Sequence, residues 1–236
     1  MTNHARAAGR LIVALDVPSA EEARRHVELV RPAADFFKIG YQLAPVGGYD
    51  LARELGAAGL RVFLDLKLHD IGATVEKGVV SLLSVGADFL TVHAERDAVA
   101  AAVAGRGDDP RMKILAVTVL TSHDEASLAT SGIRMPIRDL VLKRAEVAAE
   151  AGADGVVASP QEARAIRARC GDRLTIVTPG VRPVGAPRHD QARPATPAEA
   201  VANGADYLVV GRPITGVDDP LAAARSIAAE IAAPRG

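Results

Sequence analysis

The sequence contains no tryptophan, and aromatic residues make up only 3% of its 236 residues. Its net charge is −1, so it lacks both the basic surplus that attracts nucleic acid and the aromatics that stack on bases. We therefore expect no nucleic-acid partner. No apolar run approaches the ~20 residues of a membrane-spanning helix, and the first residues hold no signal-peptide core. We expect a soluble protein with no membrane partner.

Cysteine and lysine are also scarce. The single cysteine, Cys170, cannot form an internal disulfide, which indicates a reducing compartment, and we expect the cytoplasm. Only five of the 28 basic residues are lysines, although biased base composition in a genome would produce the same scarcity. Because an ammonium can give up a proton and a guanidinium cannot, Lys67 is a candidate proton donor and Lys38 its companion.

The segment Asp65-Leu66-Lys67-Leu68-His69-Asp70 ends an apolar run that begins at Leu60. Alternate residues of a strand point the same way, so Asp65 and Lys67 are predicted to share one face at a strand end. The simplest interpretation is a solvated salt bridge at a strand terminus. The functional interpretation is an acid and an ammonium held side by side in a site.

A weak repeat indicates the architecture, because Gly-Ala-Asp followed by an apolar run occurs at 86–88, 152–154 and 204–206. Each glycine is predicted to end a helix before a strand. The predicted strands are 10–16, 34–39, 60–66, 88–93, 112–119, 154–158, 174–178 and 206–210. They are continuously apolar rather than alternating, which is typical of a parallel sheet buried on both faces.

Helices are predicted between the strands, for instance at 20–30, 74–85, 139–151, 161–169, 197–202 and 219–232. This α/β alternation predicts a single-domain (β/α)8 TIM barrel over residues 10–236, after a flexible tail at residues 1–9. A doubly wound open sheet is the alternative. It would ordinarily carry a glycine-rich turn after its first strand, and residues 14–18 contain no glycine. Residues 179–197 hold five of the 14 prolines in one long loop, which is typical of a functional lid.

Charged side chains follow four consecutive predicted strands: Asp16, Lys38, Asp65, Lys67 and His93. The carboxyl ends of the strands form the active face of a TIM barrel. Because desolvating an array of charges is costly unless each has a partner, the arrangement favours a functional site.

Glycines and arginines follow the last two predicted strands, in Thr178-Pro179-Gly180-Val181-Arg182-Pro183 and Gly211-Arg212-Pro213-Ile214. Backbone amides and guanidinium groups at this place in a barrel are typical of a phosphate site. Gln191 in the long loop would add an amide donor to this site. Elsewhere, Thr121 and Ser122 after the fifth predicted strand would offer hydroxyls to a polar substrate. Either arginine alone is more simply a surface charge. Together they predict a substrate with a phosphate at one end and its reacting atom near Lys67.

A metal centre is the alternative use of His69, His93 and Glu95. The sequence has no His-x-x-x-His or cysteine cluster, and Lys38 and Lys67 would repel a cation. We therefore expect no metal.

These residues resemble the motifs of the orotidine 5′-phosphate decarboxylases of the short bacterial type, from about residue 10 to about residue 230. The resemblance rests on Asp65-x-Lys67-x-x-Asp70-Ile71-x-x-Thr74 together with Asp16, Lys38, residues 178–183, Asp190-Gln191 and residues 211–214. Gly72-Ala73 stands where the family has Pro-Asn, and Ala192 where a basic residue is frequent. The resemblance implies decarboxylation of orotidine 5′-monophosphate to uridine 5′-monophosphate, the last step of pyrimidine nucleotide synthesis, with no cofactor.

The resemblance also implies the roles of individual residues. Lys67 stabilises and protonates the carbanion at C6, and Asp65 lies by the departing carboxylate. Lys38 and Asp16 hold ribose hydroxyls, and Thr121 lies near the base. The phosphate and its lid are contacted by Arg182, Gln191, Gly211 and Arg212. The implied catalytic set is Lys67, Asp65, Lys38 and Asp70.

The resemblance further implies a homodimer with shared active sites, since Asp70, Ile71 and Thr74 reach into the site of the partner subunit. Two alternatives remain. A magnesium-dependent sugar-phosphate decarboxylase or aldolase of the same superfamily would want a carboxylate at position 38, where this chain has lysine. A non-catalytic nucleotide-binding barrel would keep the phosphate contacts and lose the charge array.

Overall fold

The computed structural model describes residues 9–183 and 195–233. Eight parallel strands close into a barrel in chain order, and the last strand pairs with the first. The strands are β1 (Leu11–Ala14), β2 (Phe36–Gly40), β3 (Arg61–Leu68), β4 (Phe89–His93), β5 (Lys113–Val117), β6 (Gly155–Val157), β7 (Thr175–Thr178) and β8 (Tyr207–Val210). The predicted TIM barrel is therefore confirmed. The alternative prediction of a doubly wound open sheet is wrong, because the first and last strands of an open sheet would not pair.

Helices alternate with the strands, and two of them follow β8. They are α1 (Ala20–Val30), α2 (Gly48–Ala57), α3 (Gly72–Leu83), α4 (Arg96–Arg106), α5 (Glu125–Thr130), α6 (Ile137–Glu150), α7 (Ala163–Cys170), α8 (Pro197–Ala202), α9 (Arg212–Thr215) and α10 (Pro220–Ala232). In the repeat, Gly86, Gly152 and Gly204 adopt φ of 75°, 88° and 98°, the left-handed conformation that ends a helix. No helix in the described ranges is both long and apolar enough to cross a membrane.

The barrel interior is filled by apolar side chains that form a floor beneath the carboxyl ends of the strands. Phe36, Phe63 and Phe89 are buried there, and the ring centroid of Phe89 lies 4.9 Å from that of Phe36 and 5.8 Å from that of Phe63. A second, larger apolar layer packs between the strands and the helices. Three of the four phenylalanines are therefore used to close the barrel below the candidate site.

β3 leaves regular pairing at its carboxyl end. Leu64 pairs with Leu90, but the next pair is Leu68 with Val92, so residues 65–67 stand opposite Thr91 alone. Within this bulge Lys67 has φ of 45°, and no other non-glycine residue in the described ranges has a positive φ. Such a conformation costs ~1–3 kcal/mol and is typical of functional sites. Regular alternation, the basis of the predicted shared face, does not extend to Lys67.

Candidate active site

A cavity of about 610 Å³ opens at the carboxyl ends of the strands. Its floor includes Phe63, Val117, Val157 and Val209 from the interior layer. The structure brings many of the predicted site residues to its walls: Asp16, Lys38, Asp65, Lys67, Thr121, Arg182, Gly211 and Arg212. These residues come from both ends of the chain because the barrel closes β8 against β1.

Charges of alternating sign run along one wall of this cavity. Lys38 Nζ lies 2.9 Å from Asp16 Oδ1 and 3.5 Å from Asp65 Oδ2, and Lys67 Nζ lies 2.8 Å from the same Asp65 oxygen. The side chains of Lys38 and Asp65 are only 9% and 14% exposed. The simple interpretation of Asp65 and Lys67 as a solvated salt bridge does not describe this pair, since their side chains are only 14% and 23% exposed and Lys38 is a second cation beside Asp65.

The array sets the protonation of its two central groups. Burial alone would raise the pKa of the Asp65 carboxyl, but Lys38, Lys67 and the Thr91 hydroxyl outweigh burial and lower it below its ordinary value. Burial alone would lower the pKa of Lys38, but the carboxylates of Asp65 and Asp16 raise it. Both groups are therefore charged at neutral pH.

Two side chains at the site, Thr91 and Tyr41, belong to none of the motifs that the sequence analysis identified. Thr91 is fully buried on β4, and its Oγ1 accepts from the Lys67 N–H at 2.9 Å and donates to Asp65 Oδ1 at 2.9 Å. Tyr41 Oη donates to the Leu66 carbonyl at 2.5 Å, and its ring centroid lies 5.7 Å from Lys67 Nζ. The sequence could have indicated Thr91, because it is the only hydroxyl residue within the apolar run 89–92. Nothing in the sequence around Tyr41 indicates a role for that residue.

Two guanidinium groups also line the cavity, Arg182 after β7 and Arg212 after β8. Arg182 is buried, its Nη1 donates to the Val181 carbonyl at 2.8 Å, and its Nε finds no hydrogen-bond partner within the described part of the chain. Burial, followed by the positive charge of Arg212, lowers the pKa of Arg182. Because two nearby cations disfavour each other until an anion joins them, this part of the cavity fits a phosphate.

Some predicted site residues do not line this cavity. Asp70, Ile71 and Thr74 are exposed beyond the end of β3, where Asp70 Oδ1 accepts from the Ile71 N–H at 2.7 Å. Gln191 lies outside the described residues, as does most of the predicted lid loop. The bridge between Val181 and Ala195 joins the two described ends of that loop.

The histidines near the strand ends form a cluster beside the cavity rather than within it. His69 Nε2 lies 3.6 Å from Glu95 Oε2, and the ring centroids of His69 and His93 are 5.0 Å apart. Burial lowers the pKa of His93. Over residues 9–183 and 195–233, no group of three or more His, Cys, Asp or Glu side chains is arranged to hold a metal ion.

Comparison with known proteins identifies the family. Residues 9–227 match the family model described as Orotidine 5′-phosphate decarboxylase / HUMPS family. The chain belongs to this family. It is 58% identical over 222 residues to the orotidine 5′-phosphate decarboxylase of Methylorubrum extorquens (strain PA1), covering 94% of this chain and 95% of the relative. It is 55% identical over 231 residues to the enzyme of the same name from Rhodopseudomonas palustris (strain BisA53), covering 98% of each.

A solved structure agrees with the family. The crystal structure of orotidine 5′-phosphate decarboxylase from Lactobacillus acidophilus is similar with a TM-score of 0.83 at 37% identity, covering 95% of this chain and all of that one. Both the sequence identity and the structural similarity therefore support the assignment of the fold and the family.

Proposed function

We propose that the chain is an orotidine 5′-phosphate decarboxylase in which Lys67 delivers the proton that replaces the lost carboxylate. The reaction converts orotidine 5′-monophosphate to uridine 5′-monophosphate and CO2, the final step of pyrimidine nucleotide synthesis. The family match and relatives of that name at 55–58% identity over nearly the whole chain support the reaction. The observation that carries the mechanism is the alternating array of Asp16, Lys38, Asp65 and Lys67 on one wall.

Lys38 distinguishes this function from the magnesium-dependent alternative. Its ammonium lies between two carboxylates, at the position where that alternative needs a ligand for the metal. A cation bound by Asp16 and Asp65 would have to displace this ammonium or lie beside it. The non-catalytic alternative is disfavoured because it would lose the charge array, whereas Lys38, Asp65 and Lys67 are all present and paired on the cavity wall.

In the proposed mechanism the bond between C6 and the carboxylate breaks and its electron pair stays on C6. The Lys67 ammonium faces this developing negative charge, and a fixed cation stabilises it without the reorganisation that water would need. CO2 leaves next to Asp65. Lys67 then transfers a proton from Nζ to C6, which gives the product, and the neutral amine recovers a proton from solvent.

The other walls hold the rest of the nucleotide. We assign the phosphate to Arg182, Arg212 and Gly211, with Gln191 as a further donor from the loop. Asp16 and Lys38 are assigned to the ribose hydroxyls, and Thr121 to the neighbourhood of the base. The assignment is supported by the cavity, because Lys67, Thr121, Arg182 and Arg212 all line it.

We further propose a homodimer in which Asp70, Ile71 and Thr74 complete the partner subunit's site. Their exposure supports this, since Ile71 is an apolar side chain that is 72% exposed. Covering it would remove apolar surface from water. A cytoplasmic location and a single catalytic domain over residues 10–236 are proposed on the sequence alone.

The reaction is tested by following the absorbance change of orotidine 5′-monophosphate with purified protein, with and without a chelator. We expect equal rates in both samples and release of one CO2 for each uridine 5′-monophosphate formed. Absence of turnover would overturn the proposed function. Loss of turnover with chelator and its return with Mg²⁺ would overturn the metal-free mechanism.

A further inference from the structure

The peptide group between Leu66 and Lys67 is bound at both ends by side-chain hydroxyls. Its carbonyl oxygen accepts from Tyr41 Oη at 2.5 Å, and its N–H donates to Thr91 Oγ1 at 2.9 Å. The two hydroxyls come from different segments, since Tyr41 follows β2 and Thr91 lies within β4. One peptide of the β3 bulge is thus held from both sides, by a residue just after β2 and by a residue within β4.

The direction of these hydrogen bonds follows from the chemistry of the groups. A backbone N–H only donates, so Thr91 Oγ1 accepts from Lys67 and has its own hydrogen left to donate. The carboxylate of Asp65 only accepts, and it lies 2.9 Å from the same Oγ1. The hydroxyl of Thr91 therefore connects the backbone of Lys67 to the carboxylate that pairs with the Lys67 ammonium.

The bound peptide is the one whose orientation defines φ of Lys67. Rotation about the bond from N to Cα of Lys67 turns this peptide relative to the lysine side chain, and the observed φ of 45° is in the left-handed region that lysine rarely adopts. Such a conformation persists only where its surroundings hold it. The hydroxyls of Tyr41 and Thr91 stabilise this conformation, because each would lose its hydrogen bond to the peptide if the peptide turned.

We propose that Thr91 and Tyr41 are positioning residues that fix the peptide between Leu66 and Lys67 and so aim the Lys67 ammonium along the cavity wall. The inference rests on the proposed role of Lys67 as the proton donor. It gives a function to a buried threonine and to a tyrosine that is largely exposed at the edge of the cavity. Neither side chain needs to contact the reacting carbon.

Two variants remove one hydroxyl each and keep the shape of the side chain: Thr91→Val and Tyr41→Phe. Displacing a reacting group by about 1 Å costs on the order of 100-fold in rate, so we expect Thr91→Val to lower kcat by about that factor. Tyr41→Phe should lower kcat by about tenfold, since its ring remains over Lys67. In both variants KM and the dissociation constant of uridine 5′-monophosphate should stay within about threefold of wild type, because the phosphate wall is unchanged.

The controls are a second buried threonine and a second tyrosine. Thr118 Oγ1 donates to the Val157 carbonyl at 2.9 Å, and neither Thr118 nor Tyr49 lines the cavity. Thr118→Val and Tyr49→Phe should leave kcat within about twofold of wild type. Thr91→Ser keeps the hydroxyl and should recover most of the kcat that Thr91→Val loses.

The double variant tests whether the two hydroxyls act on one peptide. Once the first hydroxyl is lost the peptide is already free to turn, so the combined loss in kcat should be smaller than the product of the two single losses. A combined loss equal to that product would show that the two residues act separately and would overturn the shared clamp.

Other outcomes would overturn the proposal outright. These are a kcat for Thr91→Val within twofold of wild type, an equal loss in Thr91→Val and Thr91→Ser, or a rise in KM with kcat unchanged. If Thr91→Val does not fold, the pair Thr91→Ser and Thr91→Ala decides, since these two differ by the hydroxyl alone. The proton-donor role of Lys67 is tested separately by Lys67→Ala. Turnover that persists in that variant would overturn the role of Lys67 itself.

Discussion

Lys67 Nζ lies 2.8 Å from Asp65 Oδ2, and both residues belong to the bulged end of β3. The carboxylate is in turn held by Lys38 and by the Thr91 hydroxyl. The position of the proposed proton donor is thus fixed through its counter-ion as well as through its own backbone. The stability of the fold and the chemistry of the site consequently depend on the same charges.

The lowered pKa of Asp65 predicts how stability depends on pH. A carboxyl whose pKa is lower in the folded state adds stability above its unfolded pKa of ~3.9, and this is lost as pH falls through the folded pKa. Asp65→Asn does not titrate there. The free energy of unfolding of wild type minus that of Asp65→Asn should therefore be largest near pH ~6 and shrink toward pH ~3.

Urea unfolding of both proteins at a series of pH values measures this difference. Asp172→Asn serves as the control, because Asp172 is fully exposed and lies outside the array. It should change stability by less than ~0.5 kcal/mol at each pH. A difference between wild type and Asp65→Asn that is constant with pH would show that Asp65 titrates alike in the folded and unfolded chain.

Arg212→Ala tests the remote phosphate. If phosphate binding orders the site, this change should lower kcat/KM by more than the ~1 kcal/mol expected of one exposed ion pair. Orotidine, which lacks the phosphate, should react poorly with wild type and be nearly indifferent to the substitution. Equal losses for both substrates, measured side by side, would show that Arg212 does something other than bind phosphate.

Mixed dimers test the shared site. Lys67→Ala and Asp70→Ala should each be severely defective, but a dimer with one subunit of each has one site with both lesions and one with neither. With random exchange of equal amounts, activity should recover to about a quarter of wild type for a two-fold symmetric dimer.

The two variants are first unfolded or diluted together so that subunits exchange, and differently tagged subunits verify the exchange. Lack of recovery despite exchange would place Asp70 in the site of its own chain.

Replacing Gly105 and Gly78 by alanine should change the stability of the fold in opposite directions. A Cβ at Gly105 of α4 would overlap the carbonyl oxygen of Glu76 in α3 and lie 3.0 Å from Val79 Cβ, whereas a Cβ at Gly78 meets no atom within 4 Å. Gly105→Ala should therefore destabilise the fold by ~1–3 kcal/mol, because the backbone of α3 must move. Gly78→Ala should stabilise it by ~0.5–1 kcal/mol.

Thermal unfolding of the two variants checks this directly. A melting temperature of Gly105→Ala at or above that of wild type would mean that α3 and α4 separate at little cost.

The barrel was predictable because its signals are local. Continuous apolar runs mark strands buried on both faces, and the glycines at 86, 152 and 204 carry the left-handed turns that separate helix from strand. Single elements were less clear. Helices α2 and α4 were not among the helices named from the sequence. In α4 five of the 11 residues are alanine, so its apolar stripe is weak and acquires meaning only when the barrel packs against it.

The residues of the charge array could be predicted from the sequence, but their geometry could not. Positions at strand ends place Asp16, Lys38, Asp65 and Lys67 on one rim once the fold is known. The bulge that turns Lys67 and the hydroxyls of Thr91 and Tyr41 depend on the register between β3 and its neighbours. That register is a property of pairing across the barrel, and no spacing along the chain specifies it.

In the proposed mechanism Lys67 both stabilises the charge at C6 and protonates it. Its most direct test is kcat for Lys67→Ala, with uridine 5′-monophosphate binding measured on the same preparation. Because Lys67 acts on charge that appears only in the transition state, kcat should fall by at least several orders of magnitude while nucleotide binding is largely retained. Lys113→Ala, which removes an exposed lysine where β5 begins at the opposite end of the barrel, should retain full turnover. A kcat for Lys67→Ala within tenfold of wild type would contradict this role of Lys67.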